Sequence, residues 1–363
     1  MEPHVVVVGV GHTGCVPISS GVSYKELMYD AARLAYADAE IDPRTGVDSF
    51  VCVSEDLDEG TSIFDEYVPD QLGAVQRPVH TLAADGLAAV ATAIMLIRSG
   101  IAGVVVVEGH RKSSDSRTPG RVERFALDPV FERPIGVSAL AVAGLEMSRY
   151  LKTSGASERD CAAVASENRR RALENPRAAY GADVGVDEVL DSPPLFRPLV
   201  EQEAAWPADA AIVVVLAEAG RAGDPTRSVR VTGVGWSTGS ASLGSRDWDR
   251  PGYVWSAAEM AYRQAGVHSF DLAEVDDRFA YKQLQHAEAL GLANVVVNRS
   301  GGSLGEGEIG DATGLSRLVA CVEQLRGEAG NMQVEGARTA VAQSWRGVPS
   351  TSSAVVTLEG PAR

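Results

Sequence analysis

The chain has 363 residues, 45% hydrophobic and 23% charged, with a net charge of −16 and a pI near 4.9. That length can bury a large core without a disulfide or metal staple. The acidic balance argues against a nucleic-acid partner, because neutralising phosphates needs a basic face.

The opening MEPHVVVVGVG lacks a basic leader region, and its apolar run is only Val5–Val8. It reads as a first buried strand rather than a signal peptide. The Gly-rich turn GVGHTG closes it. A helix follows over Tyr24–Ala39, with Leu27, Ala31, Leu34, Ala35 and Ala39 as its apolar positions. An acidic strand is expected within Ile41–Val53. Ala84-Asp85-Gly86 then opens a helix at Leu87–Arg98, with Asp85 as its N-cap. Ala102–Val107 reads as the next strand.

Lys112–Ala222 interrupts this pattern with Arg, Ala and Pro. Helices are expected over Leu140–Lys152 and Glu158–Leu173, the second capped by Ser157 and ended at Asn175-Pro176. Val213–Leu216 returns to the core as a strand. VRVTGVGWSTG, at Val229–Gly239, then echoes the opening strand and turn. A helix over Ala257–Ala265 and an acidic strand within Val267–Phe279 repeat the first order. Gly310-Asp311 opens a helix at Ala312–Leu325, and Thr339–Gln343 and Ala354–Leu358 are strands.

Two β-α-β-α-β halves imply a duplicated α/β core. Continuous valine runs suit strands covered on both faces by helices. The expected divisions are residues 1–111 for the first half, 112–208 for an inserted loop domain, 209–222 for a returning strand and 223–363 for the second half. The two Gly-rich turns are read as strand ends and not as dinucleotide-binding loops.

Cys15, Cys52, Cys161 and Cys321 are widely spaced, and none forms C-x-x-C. Each reads as a small buried hydrophobe. His12, His80 and His110 have no spacing partner, so no metal site is expected. No apolar run approaches the roughly 18–20 residues that span a bilayer. A cytoplasmic, reducing location is expected.

The stretch Val297–Leu315, VNRSGGSLGEGEIGDATGL, resembles the C-terminal signature of thiolases. Asn298, Gly301, Gly302, Gly307, Ala312, Thr313, Gly314 and Leu315 fit it. AVASENRRRALENPRAAYG in the insertion, Pro207–Ala211, and Glu274–Phe279 resemble further text of the sterol-carrier-protein-type and lipid-transfer-type branch. The resemblance covers roughly residues 4–360. It implies a five-layered α/β/α/β/α thiolase fold, a loop domain over the site, and a homodimer. Gly103–Glu108, GVVVVE, is expected to be the strand that pairs across that dimer. The family's long loop before the Asn-x-x-Gly-Gly run is missing, since Ala289–Leu292 leads almost directly to Val297.

The resemblance also implies where chemistry would sit. The nucleophilic cysteine falls on Ala83, and a methyl group cannot carry an acyl group. The second acid/base position falls near Ser344. The two family histidines become Asp276 and Glu308. Histidine can donate to an oxyanion, whereas an ionised carboxylate cannot. Claisen chemistry is therefore not expected.

Two readings remain. One is a non-catalytic subunit in acyl-CoA metabolism, paired with a small zinc-ribbon and OB-fold acyl-CoA-binding partner. The other is an aldolase-type enzyme using Asp276 and Glu308 as an acid/base pair in one cleft. Asn298, Gly301, Gly302 and Asp277 are expected at the substrate. No bound cofactor is expected beyond a CoA thioester ligand.

Overall fold

The computed structural model describes residues 3–60, 63–116, 123–348 and 350–361. Ten strands form one mixed sheet built from two five-stranded halves. The first half holds β1 (Val5–His12), β2 (Ser49–Val53), β3 (Val79–Leu82), β4 (Val104–Lys112) and β7 (Asp209–Glu218). The second holds β8 (Val229–Thr238), β9 (Leu272–Glu274), β10 (Val296–Val297), β11 (Thr339–Arg346) and β12 (Ser352–Glu359). A small hairpin, β5 (Pro194–Phe196) and β6 (Leu199–Val200), belongs to the insertion.

The order from the centre outward is β1-β7-β4-β2-β3 in one half and β8-β12-β11-β9-β10 in the other. Strand directions match position by position. Val5–Val10 and Val229–Val234 thus occupy equivalent central strands, as the repeat predicts. The two sheet halves are joined where Val6 and Val7 pair with Arg230 and Val229.

Helices complete five layers. One outer layer is α1 (Tyr24–Ala39), started by a Ser23–Glu26 capping box. Its buried face is mostly alanine, which permits close approach to β1. A Cβ on Gly9 or Gly11 would lie 2.4 or 2.1 Å from the carbonyls of Ala35 and Ala31. Gly233 and Gly235 stand in the same relation to Ala261 and Ala257 of α6 (Gly252–Ala265), the opposite outer helix. Although GVGHTG has Gly-x-Gly-x-x-Gly spacing, its first two glycines serve helix–strand packing, and the next helix begins only at Tyr24.

Between the sheet halves lie α2 (Gly86–Arg98) and α9 (Thr313–Arg326), buried on nearly every face. The insertion contributes α3 (Ala139–Ser154), α4 (Glu158–Ala172) and α5 (Val186–Leu190). Ser157 caps α4 as expected, with Asp160 completing a capping box. Two further helices, α7 (Ala280–Ala289) and α8 (Gly302–Glu306), flank the Asn298 turn. No helix among the described residues is long and apolar enough to cross a membrane.

The dimer strand expected at Gly103–Glu108 is a misassignment. Val104–Lys112 is internal, paired with β2 on one side and β7 on the other. The sheet edge in this half is β3.

β4 runs five residues past the expected Val107 because its polar end is buried in pairs. His110 Nδ1 lies 2.9 Å from Glu108, its Nε2 3.4 Å from Glu59, and its ring stacks on Tyr24. Burial pushes the imidazolium down, but Glu108 and then Glu59 outweigh it and lift the group to about 10. The folded value exceeds the unfolded one of about 6.5. The stabilisation is therefore complete below that value and disappears as pH rises through about 10. Calorimetry should show Tm falling between about pH 7 and about pH 10, with a shallower fall in His110→Asn.

Candidate active site

A cavity of about 1170 Å³ opens beyond the ends of β2, β3, β4 and β11. Open α/β sheets characteristically bind ligands beyond their strand ends. The insertion covers it with Phe125, Leu140, Ala143 and Leu195. Its polar wall carries Asp85, Arg111, Arg278, Glu308 and Arg346.

Ala83 lies on this wall, exposed, just before the first turn of α2. Its carbonyl accepts a 2.9 Å hydrogen bond from Arg346 Nη1. Asp85 follows as the N-cap, accepting from Leu87 N at 2.8 Å. Its other oxygen accepts from Gly314 N, at the start of α9, at 3.2 Å. Burial raises this carboxyl, opposed by Ser344 and the Leu87 amide.

Glu308 is held by its backbone. Its N–H donates to the Trp206 carbonyl at 2.7 Å, and its own carbonyl accepts from Ala208 N at 3.0 Å. The side chain reaches the cavity wall, where Oε2 is buried without a hydrogen-bond partner. Burial lifts the carboxyl to about 7. Arg278 opposes the rise, Asp276 adds to it, and Arg317 and Arg111 oppose it. Arg278 also pairs with Glu123, a second lining residue, at 2.9 Å.

Asp276 does not share the wall with Glu308. It is 2% exposed and lies behind the lining, with Oδ2 2.9 Å from Arg317 Nη2. Its Oδ1 accepts from Arg278 N at 3.1 Å. The expected acid/base pair is thus one wall carboxylate and one ion-paired carboxylate behind it.

The four residues expected at the substrate make protein contacts of their own. Asp277 caps α8, accepting from Ser303 N at 2.7 Å and Leu304 N at 3.2 Å. It also accepts from Asn168 Nδ2 at 2.9 Å, and burial lifts it to about 6. Asn298 accepts from Val275 N at 2.7 Å and donates to Gln283 at 2.7 Å. Gly301 and Gly302 admit Ala172 and Asp277, whose atoms a Cβ would meet at 2.7 and 2.1 Å. None of the four lines the cavity. The Asn-x-x-Gly-Gly turn locks β9, α4 and α8 together behind the site. Ser344, fully buried in β11, also lies off the wall.

All four cysteines are buried and none lines the cavity. Burial raises the Cys15 thiol well above its usual range. Among the described residues no group of three or more His, Cys, Asp or Glu side chains is placed to hold a metal.

Sequence reasoning missed Arg317, which is 3% exposed and donates to Ser303 Oγ at 2.8 Å besides pairing with Asp276. The available signal was an arginine inside the apolar run of TGLSRLVACV. Arg278 and Arg346 left no sequence signal of their own, since each stands beside a position that the family resemblance marks by another residue. A protonatable carboxylate beside guanidinium groups suits proton transfer near a developing negative charge.

The C-terminal part, residues 293–359, matches the family described as Thiolase C-terminal domain-like. The chain is 28% identical to an acetyl-CoA acetyltransferase of Methanothermobacter thermautotrophicus, covering 96% of this chain and 98% of that protein. It is 26% identical to the 17-hydroxy-3-oxo-4-pregnene-20-carboxyl-CoA lyase of Mycobacterium tuberculosis, covering 95% and 97%. Among solved structures, the Ltp2-ChsH2(DUF35) aldolase superimposes with a TM-score of 0.84 at 20% identity over 100% of both chains. The matched C-terminal segment and these full-length likenesses, with sterol carrier protein 2 among the relatives, support a thiolase-superfamily protein of the sterol-carrier type.

Proposed function

We propose that the protein is an aldolase-type carbon–carbon lyase acting on an acyl-CoA-like β-hydroxy thioester, with Glu308 as its acid/base group. The observation behind this reading is the unpartnered Glu308 oxygen at the cavity wall, near Arg278, while the position where the resemblance places the nucleophile is Ala83. A retro-aldol step needs a moved proton and a stabilised enolate, but no acyl-enzyme. Ionised Glu308 takes the proton of the β-hydroxyl. The Cα–Cβ bond breaks and its electron pair enters the thioester carbonyl, giving an enolate. The carbonyl compound formed at Cβ departs, and protonated Glu308 returns a proton to Cα. Arg278 and Arg111, whose charges both act on Glu308, supply positive charge for the enolate oxygen. A group near 7 is suited to both halves of this cycle.

A lyase among the full-length relatives supports this reading, and the acetyltransferase relative shows that the same fold also serves acyl transfer. A small DUF35-like partner for the acyl-CoA portion belongs to the proposal, since a solved likeness carries such a pairing. A homodimer belongs to it too, with β3 as the open sheet edge. One observation favours a second reading, that of a non-catalytic subunit. Asp276 is ion-paired with Arg317, so of the expected pair only Glu308 reaches the wall.

The test is a panel of β-hydroxyacyl-CoA thioesters, assayed with and without co-expressed DUF35-type partner for release of aldehyde or ketone. Release that depends on this chain supports the lyase. No release from any panel member, with intact partner binding, overturns it in favour of the subunit.

A further inference from the structure

The N-termini of α2 and α9 converge on one side chain. Gly86 packs so tightly on α9 that a Cβ there would lie 2.5 Å from Leu315 Cγ. A Cβ on Gly314 would lie 2.2 Å from Asp85 Oδ1. The Asp85 carboxylate fills the gap, taking the Leu87 amide of α2 on one oxygen and the Gly314 amide of α9 on the other. An ordinary N-cap serves one helix; this one serves two, of 13 and 14 residues.

Two further donor side chains act on the same carboxylate, and each keeps buried donor atoms without a partner. Arg317 is 3% exposed, and its Nε and Nη1 have no hydrogen-bond partner. Ser344 is fully buried, and its Oγ has no partner of good geometry. The charge of Arg317 and the hydroxyl of Ser344 both favour the ionised form of Asp85. Two helix N-termini, a guanidinium and a hydroxyl are the donor set of an anion-binding site. Asp85 also lines the cavity, so the anion in that site is the chain's own.

We propose that Asp85 is a resident anion filling a built anion hole, and that it bars a carboxylate- or enolate-bearing ligand group from the helix N-termini. Vacating the hole creates a binding site for a small carboxylate. The inference concerns binding in the absence of substrate and does not depend on the lyase reading. It adds that negative charge developing on a cavity ligand is met at the Arg278 side and not at α2.

The test uses sodium formate as the probe, against sodium chloride at equal ionic strength. Asp85→Ala empties the hole, Asp85→Ser keeps a cap for α2 but removes the charge, and Asp85→Asn fills the hole with a neutral group of the same shape. Thermal shift and ¹³C-formate NMR titration are read on all four proteins. Asp85→Ala and Asp85→Ser should each lose Tm and regain part of it with saturable formate binding, at least about tenfold tighter than in the native protein. Asp85→Asn should show no such response. If Asp85→Ala does not fold, Asp85→Ser carries the comparison. Equal formate response in native protein and variants, no response in the Ala and Ser variants, or rescue of Asp85→Asn to the same extent would each overturn the proposal.

Discussion

Glu308→Gln is expected to lower kcat on a cleaved β-hydroxy thioester by about 10²–10⁴-fold, the usual cost of removing a general acid/base group. Thermal stability should hold or rise. Burial lifts this carboxyl to about 7 against an ordinary value of 4.5, so the ionised group is a burden on the fold. Between those two values the folded protein retains a proton that the unfolded chain has lost, and stability falls as pH rises through that window. Glutamine removes that dependence. Asp276→Asn should behave differently, because Asp276 lies behind the wall. Losing its charge lowers the Glu308 value, so the ascending limb of the pH–kcat/KM profile should move to lower pH while activity persists. A profile unchanged by Asp276→Asn would mean that the two carboxylates do not communicate.

Arg317→Met is expected to destabilise the fold by about 3–5 kcal/mol, the range for removing one partner of a buried ion pair. The loss strands Asp276 without its 2.9 Å partner and removes the donor to Ser303. Asp277, capping α8 at 3.7 Å from the same guanidinium, loses a neighbouring positive charge. Urea unfolding should show the midpoint shift, and adding Asp276→Asn to Arg317→Met should recover part of it. Strict additivity of the two changes would contradict the coupling.

The duplicated core was legible because its signals are local. Valine runs marked the central strands, and the apolar spacing of Leu27, Ala31, Ala35 and Ala39 marked α1 at its observed bounds. The echoed glycines marked the two strands that outer helices approach most closely. Less visible were elements whose stability comes from distant partners. Val79–Leu82 is a half-buried edge strand that takes its register from β2, so no apolar run announced it. The polar end of β4 is buried only because Glu59 comes from another segment.

The site was legible in position and not in orientation. Alignment to a family motif brought Ala83, Glu308 and Asp276 to one neighbourhood. It could not say that Asp276 turns toward α9, because the reason is Arg317, on a helix read only for its apolar face. The glycine turn at Asn298 was read as substrate contact for a related reason. Its hydrogen bonds run to Val275 and Gln283, and these links across the chain leave no pattern in sequence.

In the proposed lyase, carboxylate chemistry takes the place of a thiolate in this cavity. Intact-mass spectrometry of the protein during turnover of a β-hydroxyacyl-CoA, with the released carbonyl compound quantified in the same samples, tests it most directly. Aldehyde or ketone should accumulate while the protein mass stays unchanged. An acyl adduct on the protein that forms and decays with turnover would contradict it.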